Sequence, residues 1–421
     1  MVDINYLNGD IIEIICNNIN DVSIIKVVLL TTKIFNYNIF KYISIYSNNN
    51  LKILYKLNKI ITLDLYKLNL LYIPIIYNSR NLSILNVSYS THVINILYKK
   101  YNKLTILDAH SSDIYYLSFL TNNIIELYLS NCKSIYDFEP LIICSKLEIL
   151  CLNNTIINDI SILNNSLIEL NLSNCKYINS FTSLSMLYNL TYLNVSNTYI
   201  SDLSFLNSNI IELDISYCFN ISDFSDISKF NNLQMLNASN TAIINLSVIN
   251  TNILKLILNN TPIYKTTYLT KFINIIQLHL NNTHINDISF LYNLTLLLNL
   301  SLESCNKIID FNPIKYCHNL NILNLTNTKI NNIDILYSLP NLYKLTLSSC
   351  SYLYTFTPLR VCYSLIMLNL NYSNIVNLKL INNLYNLRHL YIYECKFINY
   401  IYIKRYIPNL YNICKIYPCI K

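Results

Sequence analysis

Glycine is nearly absent from this chain, since Gly9 is the only one among 421 residues. The phosphate-cradling loops G-x-x-x-x-G-K and G-x-G-x-x-G each need several glycines, so neither can occur. Tryptophan is absent altogether. Hydrophobic residues make up 53% of the chain, yet no uninterrupted apolar run approaches the roughly 18 to 20 residues of a membrane-spanning helix. The sequence therefore predicts neither a nucleotide-binding loop nor membrane insertion.

Charged residues are also scarce, at 13% of the chain with a net charge of +7. The sequence contains no run of basic residues of the kind that binds phosphates, so we expect no nucleic-acid binding. The start Met1–Asn5 lacks the basic and apolar regions of a secretory signal. The odd number of cysteines, 13, favours free thiols in a reducing compartment. We expect an intracellular, cytoplasmic protein. Abundant Ile, Asn, Lys and Tyr are typical of very AT-rich genomes, as in large DNA viruses or some protists; a viral protein would act in the host cytoplasm.

Residue arrangements that carry catalysis are not found in the sequence. None of the six histidines lies in an H-E-x-x-H pattern or beside a Ser or Cys that it could activate. Cys395, Cys414 and Cys419 have only His389 nearby, which makes a weak zinc signature. We therefore expect no enzyme activity, no metal site and no cofactor.

A repeat dominates the chain after its first fifty residues. The pattern L-x-x-L-x-L, with Ile, Val or Ala replacing some leucines, recurs at intervals of 20 to 23 residues. One such strand cannot bury its apolar face, but stacked coils can. A degraded partial unit is expected at Leu410. The sixteen full units begin at Ile60, Leu82, Leu104, Ile124, Leu147, Leu167, Leu190, Ile210, Leu233, Ile253, Ile275, Leu297, Leu320, Leu342, Leu365 and Leu387.

The units are of two types, which alternate strictly in the middle of the array. Short units have Thr at position nine, as at Thr155, and long units have Cys there followed by a Phe, as at Cys132 and Phe138. A hydroxyl or thiol at position nine is expected to lie under the turn and bond to the backbone. The Phe column would fill the wider long coils. Aspartates are expected to cap short helical turns at Asp159, Asp202 and Asp287.

The consensus L-x-x-L-x-L-x-x-N/C/T-x-L, matched from about Ile60 to the C-terminus, resembles that of the leucine-rich-repeat family. Units of this length are similar to the internalin-like class, and the Cys-bearing units resemble the cysteine-containing class. The resemblance implies an α/β repeat solenoid over residues 51–421, of about sixteen units, with a parallel sheet on the concave face. It also implies protein binding, and we expect a monomer.

Residues 1–50 lack the repeat and show apolar residues at helical spacing, which predicts a small helical N-terminal cap. Two interpretations stay open. The segment is either a plain cap over the first coil, or it resembles a degenerate F-box, with Asn8 where that family has proline. The second interpretation implies that it docks a Skp-type adaptor of a ubiquitin ligase. The candidate adaptor-binding residues are Leu7, Ile11, Ile12, Ile15, Ile24 and Val28.

The outward positions of the predicted sheet carry the candidate binding residues. Position three is acidic early in the array, basic later, and apolar between, which suits a protein-binding surface. These residues are Glu126, Glu169, Glu212, Lys255, Lys344, Ile149, Tyr192, Met235, Ile322 and Met367. In the alternative interpretation, the Glu column is a copy made by repeat duplication and the Asn column at position five stacks edge to edge along the sheet.

The sequence therefore predicts a protein–protein interaction module that binds an unidentified protein on its concave face. Two alternatives follow from the same repeat. One is an F-box-type substrate receptor, and the other is a regulator of an enzyme such as a phosphatase.

Overall fold

The computed structural model describes residues 42–44, 61–70, 81–93, 97, 101–395, 397–398, 403–411 and 415–417. The chain forms two compact units. The N-terminal unit runs to Ile200 and includes Phe205–Asn207, and the C-terminal unit comprises Ser201–Ser204 and Ser208–Lys421. The helical cap predicted within residues 1–50 lies outside the described residues, apart from Tyr42–Ser44.

Each unit contains short parallel strands, one from each coil. All sixteen units identified in the sequence have their strand at positions three to five. The N-terminal unit contains β1 Tyr42–Ser44, β2 Thr62–Asp64, β3 Ile84–Asn86, β4 Ile106–Asp108, β5 Glu126–Tyr128, β6 Ile149–Cys151, β7 Glu169–Asn171 and β8 Tyr192–Asn194. The C-terminal unit contains β9 Glu212–Asp214, β10 Met235–Asn237, β11 Lys255–Ile257, β12 Gln277–His279, β13 Asn299–Ser301, β14 Ile322–Asn324, β15 Lys344–Thr346, β16 Met367–Asn369, β17 His389–Tyr391 and β18 Lys415–Tyr417.

Leucine and isoleucine columns form the core of each unit. In the coil that begins at Leu147, residues Leu147, Leu150 and Leu152 are buried, and equivalent residues of neighbouring coils stack on them because the strands pair in register. The chain returns through 3₁₀ helices at Glu139–Ile143, Thr182–Met186, Ser225–Lys229, Leu246–Val248, Thr267–Lys271, Ser289–Asn293, Asn312–Tyr316, Asp334–Ser338, Thr357–Val361 and Leu378–Ile381. The predicted Phe column is buried just before five of these helices, at Phe138, Phe181, Phe224, Phe311 and Phe356.

Aspartates bond to the turns that lead into the return segments, but the helix caps predicted for them are not formed. Among the described residues, no 3₁₀ helix directly follows Asp159 or Asp202, and the N-cap of Ser289–Asn293 is Ile288 rather than Asp287. The Asp159 carboxylate accepts the Ser161 backbone N–H at 2.8 Å, and Asp287 accepts that of Ser289 at 2.8 Å. The hydrogen bond from Ser161 lowers the pKa of Asp159 below its ordinary value. A negative charge is therefore favoured at this turn, because the carboxylate satisfies a backbone donor that has no partner in the coil.

The backbone at position eight is in the left-handed conformation in all sixteen units, with φ between 53° and 61°. Such a backbone ordinarily favours glycine, because a Cβ atom crowds the following carbonyl. Half of these positions are instead occupied by asparagine, which tolerates the conformation better than other side chains do. Asn at position eight explains how a chain with a single glycine turns off the strand in these eight units.

Both ends of the array differ from the sequence expectation. Strand β1 lies inside the 1–50 range assigned to the cap and pairs in register with β2, so the sheet starts earlier than the predicted boundary. A partial unit is present at the C-terminal end, but the prediction that it starts at Leu410 was wrong, because Leu410 lies in a helix. Two short helices, α1 Ile403–Tyr406 and α2 Pro408–Tyr411, lengthen the preceding coil. Strand β18 pairs in register with β17, and it lies three residues later in the chain than a unit start at Leu410 predicts. Among the described residues, no helix is both long and apolar enough to cross a membrane.

Candidate functional site

The strands present one face to the core and one to solvent. In β7, Leu170 is buried at position four, whereas Glu169 is exposed and Asn171 is half-buried. Position three therefore points outward, as the sequence predicted. In the N-terminal unit the register places four of the predicted residues side by side on consecutive strands, in the order Glu126, Ile149, Glu169 and Tyr192.

The same row in the C-terminal unit brings the other predicted residues together in two groups. Strands β9 to β11 place Glu212, Met235 and Lys255 next to one another. Strands β14 to β16 do the same for Ile322, Lys344 and Met367. Between the two groups lie the uncharged residues Gln277 and Asn299.

The outward face of the N-terminal unit is acidic around Glu126. The Tyr128 hydroxyl donates to Glu126 Oε2 at 2.9 Å, and desolvation together with this bond raises the pKa of Tyr128. Cys151 occupies the neighbouring outward position on β6. Partial burial, followed by the charges of Glu169 and Asp108, raises the pKa of the Cys151 thiol to about 11. This thiol is protonated at neutral pH and is therefore a poor nucleophile.

Polar residues at position five shape the turn rather than stack along the sheet. The Asn171 side-chain oxygen accepts the backbone N–H of Ser173 at 3.0 Å, and the same contact recurs at other units with Asn or Asp at position five. Bridges between coils join Asn237 Nδ2 to Asp214 Oδ2 at 2.9 Å and Asn324 Nδ2 to Ser301 Oγ at 3.0 Å. The edge-to-edge stacking considered for the Asn column is therefore replaced mainly by hydrogen bonds within each coil.

Side chains at position nine bond to the backbone, as predicted, and they also link neighbouring coils, which the sequence did not predict. Thr155 Oγ1 donates to the carbonyl of Leu152 in its own coil at 2.7 Å, and Cys175 Sγ of the next coil donates to the same oxygen at 3.1 Å. The distance between Thr155 Oγ1 and Cys175 Sγ is 3.6 Å. Leu280 and Leu325 each accept an equivalent pair of donors. The alternation of Thr and Cys units thus reflects a shared acceptor between two coils.

Several solved structures resemble this arrangement of coils. An internalin (inlF) from Listeria monocytogenes has 22% sequence identity and a TM-score of 0.55, with 76% of this chain and 89% of that chain covered. The functional domain of InlJ from the same organism, described as including a cysteine ladder, has 20% identity and a TM-score of 0.54, covering 82% and 75% of the two chains. A leucine-rich-repeat protein of Leptospira interrogans has 17% identity and a TM-score of 0.53, covering 92% and 98%.

The chain has the leucine-rich-repeat fold. The sequence itself matches no protein-family model, and no curated protein matches it either. The leucine-rich repeat and the parallel sheet predicted from the spacing are confirmed, as are the cysteine-containing repeats.

Position two of the leucine-rich repeat was missed as a candidate binding position. The exposed side chains there include Ile168, Ile276, Leu298, Tyr343 and Ile366. The first two leucines of L-x-x-L both point inward, so the two residues between them cannot both be buried. That spacing was a signal for exposure at position two, which strict alternation along a strand does not reveal.

The candidate adaptor-binding residues Leu7, Ile11, Ile12, Ile15, Ile24 and Val28 lie outside the described residues. Within the described ranges, no group of three or more His, Cys, Asp or Glu side chains is placed to hold a metal ion. His279 lies outward on β12, where burial, followed by the charge of Lys255, lowers its pKa. His279 is therefore neutral at pH 7.

Proposed function

We propose that this leucine-rich-repeat chain is a protein-recognition module that binds its partner on the outward face of the sheet. The observation that carries the proposal is the row of charged and apolar side chains at positions two and three. Consecutive strands hold these side chains in register, as with Glu126, Ile149 and Glu169. Protein-binding surfaces commonly combine apolar contacts with charges that select the partner.

The apolar members of this row favour association because the fold of the coil keeps them exposed to solvent. Ile276 is 39% exposed and Ile366 is 44% exposed, and each follows a fully buried core residue that fixes its strand. Covering such side chains with a partner removes apolar surface from water, which is worth about 25 cal/mol per Å². Since the sheet is already ordered, little further conformational entropy is lost on binding.

The test is partner binding by matched charge reversals. The partner is first captured from cell extract, identified, and its affinity for the pure chain measured by calorimetry. Glu169→Lys changes the outward face, whereas Glu139→Lys makes the same change in a 3₁₀ helix that lies away from the sheet strands. The triple variant Glu126→Lys, Glu169→Lys and Glu212→Lys is expected to weaken binding at least tenfold, with an unchanged melting temperature. Equal affinity for all variants would show that the acidic column was copied by repeat duplication and does not contact the partner.

We further propose, from the sequence pattern of residues 1–50, that the N-terminal segment docks a Skp-type adaptor. This role makes the array a substrate receptor of a ubiquitin ligase. Purified Skp-type adaptor is expected to bind the full chain, and Ile12→Asp with Ile15→Asp is expected to abolish the interaction. If well-folded chain fails to bind the adaptor, the segment is a cap alone.

A further inference from the structure

The C-terminal unit carries a continuous strip in which apolar and basic side chains occur without acidic ones. We define this apolar–basic strip as positions two and three of the coils that contain β10 to β17, together with position three on β18. Its apolar members are Met235, Leu254, Ile276, Leu298, Ile322, Tyr343, Ile366 and Met367, and its cations are Lys255, Lys344, Arg388 and Lys415.

Both rows of the strip are continuous from coil to coil. At position three, the strand register pairs each residue directly with its counterpart on the next strand, from Met235 through to Lys415. At position two, backbone N–H groups donate to the carbonyl of the preceding coil at the same position, as Ile276 does to Leu254 at 2.8 Å and Ile366 to Tyr343 at 2.8 Å. The apolar side chains and the cations therefore share one surface.

Three cations of the strip, Lys255, Lys344 and Arg388, have no acidic partner among the described residues. Neither Lys255 nor Lys344 forms an ion pair with any of the described residues. Arg388 Nη1 donates to the carbonyls of Tyr385 at 2.8 Å and Leu387 at 3.3 Å, and both of these acceptors are uncharged. Positive charges held beside exposed aliphatic groups favour a ligand that brings both carboxylates and apolar side chains.

We propose that the apolar–basic strip binds an extended, acidic amphipathic segment of a partner protein. This inference rests on the proposed function and names the chemistry of the partner. Parallel strands lie about 4.8 Å apart, so Lys255 on β11 and Lys344 on β15 are separated by about 19 Å along the sheet. An extended chain advances about 3.3 Å per residue. Carboxylates roughly six residues apart, with aliphatic residues between them, therefore match these two lysines and the intervening Ile276, Leu298 and Ile322.

A nucleic acid fits the strip less well. The four cations are distributed over seven strand intervals, or about 34 Å, whereas a duplex carries one charge per about 1.7 Å. The exposed groups are mostly aliphatic, and single strands are held by stacking on aromatic rings. A membrane also fits less well, because the apolar side chains lie along a sheet rather than projecting from a helix or loop.

The test is selection of peptides from a random 12-residue display library on the immobilised full chain. The expected peptides are enriched in Asp and Glu together with Leu, Ile or Phe. Their affinity is then measured by fluorescence anisotropy for the strip variant Lys255→Glu, Lys344→Glu and Arg388→Glu. The matched control, Lys307→Glu, Lys329→Glu and Arg360→Glu, makes the same charge change at exposed residues off the strip.

We expect the strip variant to bind at least thirtyfold more weakly and the control to bind within twofold of the unchanged chain. Apolar contacts are tested by Ile276→Ser with Ile366→Ser, expected to weaken binding at least fivefold. The control for these is Ile309→Ser with Val376→Ser, which are exposed off the strip. Circular dichroism confirms that each variant is folded.

Three results would overturn the inference. The first is selection of neutral or basic peptides, and the second is acidic peptides whose affinity depends on Glu126 and Glu169 instead of the strip. Both would leave the proposed function intact, since binding would still use the sheet face. The third is strip-dependent binding of poly(U) or phosphatidylserine vesicles without selection of acidic peptides. A failure of the proposed function itself looks different, because no outward-face substitution would then alter binding of any captured partner.

Discussion

The shared carbonyl of Leu280 allows a sharp test of how neighbouring coils are coupled. Thr283 Oγ1 donates to this oxygen at 2.7 Å from the same coil, and Cys305 Sγ donates at 3.0 Å from the next coil. Both side chains and Leu280 are buried. Thr283→Val and Cys305→Ala each remove one donor, and the carbonyl keeps the other.

The expected free energies follow from that arrangement. Thr283→Val keeps the shape of the side chain and is expected to lower the free energy of unfolding by about 1 kcal/mol, the net worth of one hydrogen bond. Cys305→Ala is expected to cost about 1 to 2 kcal/mol, since it also leaves a small cavity. The double variant removes both side-chain donors from a buried carbonyl. An unsatisfied buried carbonyl carries a desolvation penalty. The double variant is therefore expected to lose about 1 to 3 kcal/mol of unfolding free energy beyond the sum of the two single losses.

The assay is equilibrium urea denaturation followed by far-ultraviolet circular dichroism, with the dependence on urea required to stay the same among variants. The control pairs Thr283→Val with Cys350→Ala, because Cys350 donates to the carbonyl of Leu325 instead. That pair is expected to be additive within about 0.5 kcal/mol. If Thr283→Val and Cys305→Ala are equally additive, the shared acceptor does not couple the coils and the explanation of the alternation is wrong.

Three further predictions concern the backbone, the thiols and the core. Asn154 is left-handed with φ of 60°, so Asn154→Val is expected to cost about 1 to 2 kcal/mol while Asn154→Gly is nearly neutral in thermal denaturation; equal effects would contradict the conformational argument. Burial raises the pKa of Cys317 from 9.0 to about 12, so the folded state holds the thiol proton more tightly than the unfolded state does. The contribution of this thiol to the free energy of unfolding is fully present below pH 9 and is lost as the pH rises towards 12. Stability is therefore expected to fall by about 1.4 kcal/mol per pH unit from this thiol, and a Cys317→Ala chain that shows the same alkaline slope would refute this. Leu300 is fully buried, and Leu300→Ala is expected to cost about 2 to 5 kcal/mol in urea denaturation, whereas a loss below 1 kcal/mol would contradict its place in the core.

The repeat spacing was sufficient to predict the coils, because burial in this fold depends on residues a few positions apart. Leu147, Leu150 and Leu152 are buried as the pattern requires, and the strand begins two residues after Leu147. The outward placement of Glu169 follows from the same local geometry. No long-range information is needed for either result, since a strand that buries position four must expose position three.

Contacts between coils were decided by the tertiary structure. The sequence shows Thr155 and Cys175 alternating, but only the stacking of coils brings both to one carbonyl. The strands at Tyr42–Ser44 and Lys415–Tyr417 were likewise identified only by their pairing with a neighbouring strand.

The candidate site follows the same division. The residue type and outward position of Lys255 and Lys344 were readable from the repeat. The L-x-x-L spacing also indicates exposure at position two, but only the stacking of the coils places Ile276 on one surface with these lysines. A repeat sequence encodes which side chains each coil buries. Which outward side chains share a surface depends on the register between strands 20 to 23 residues apart, and that register is set by packing of the whole array.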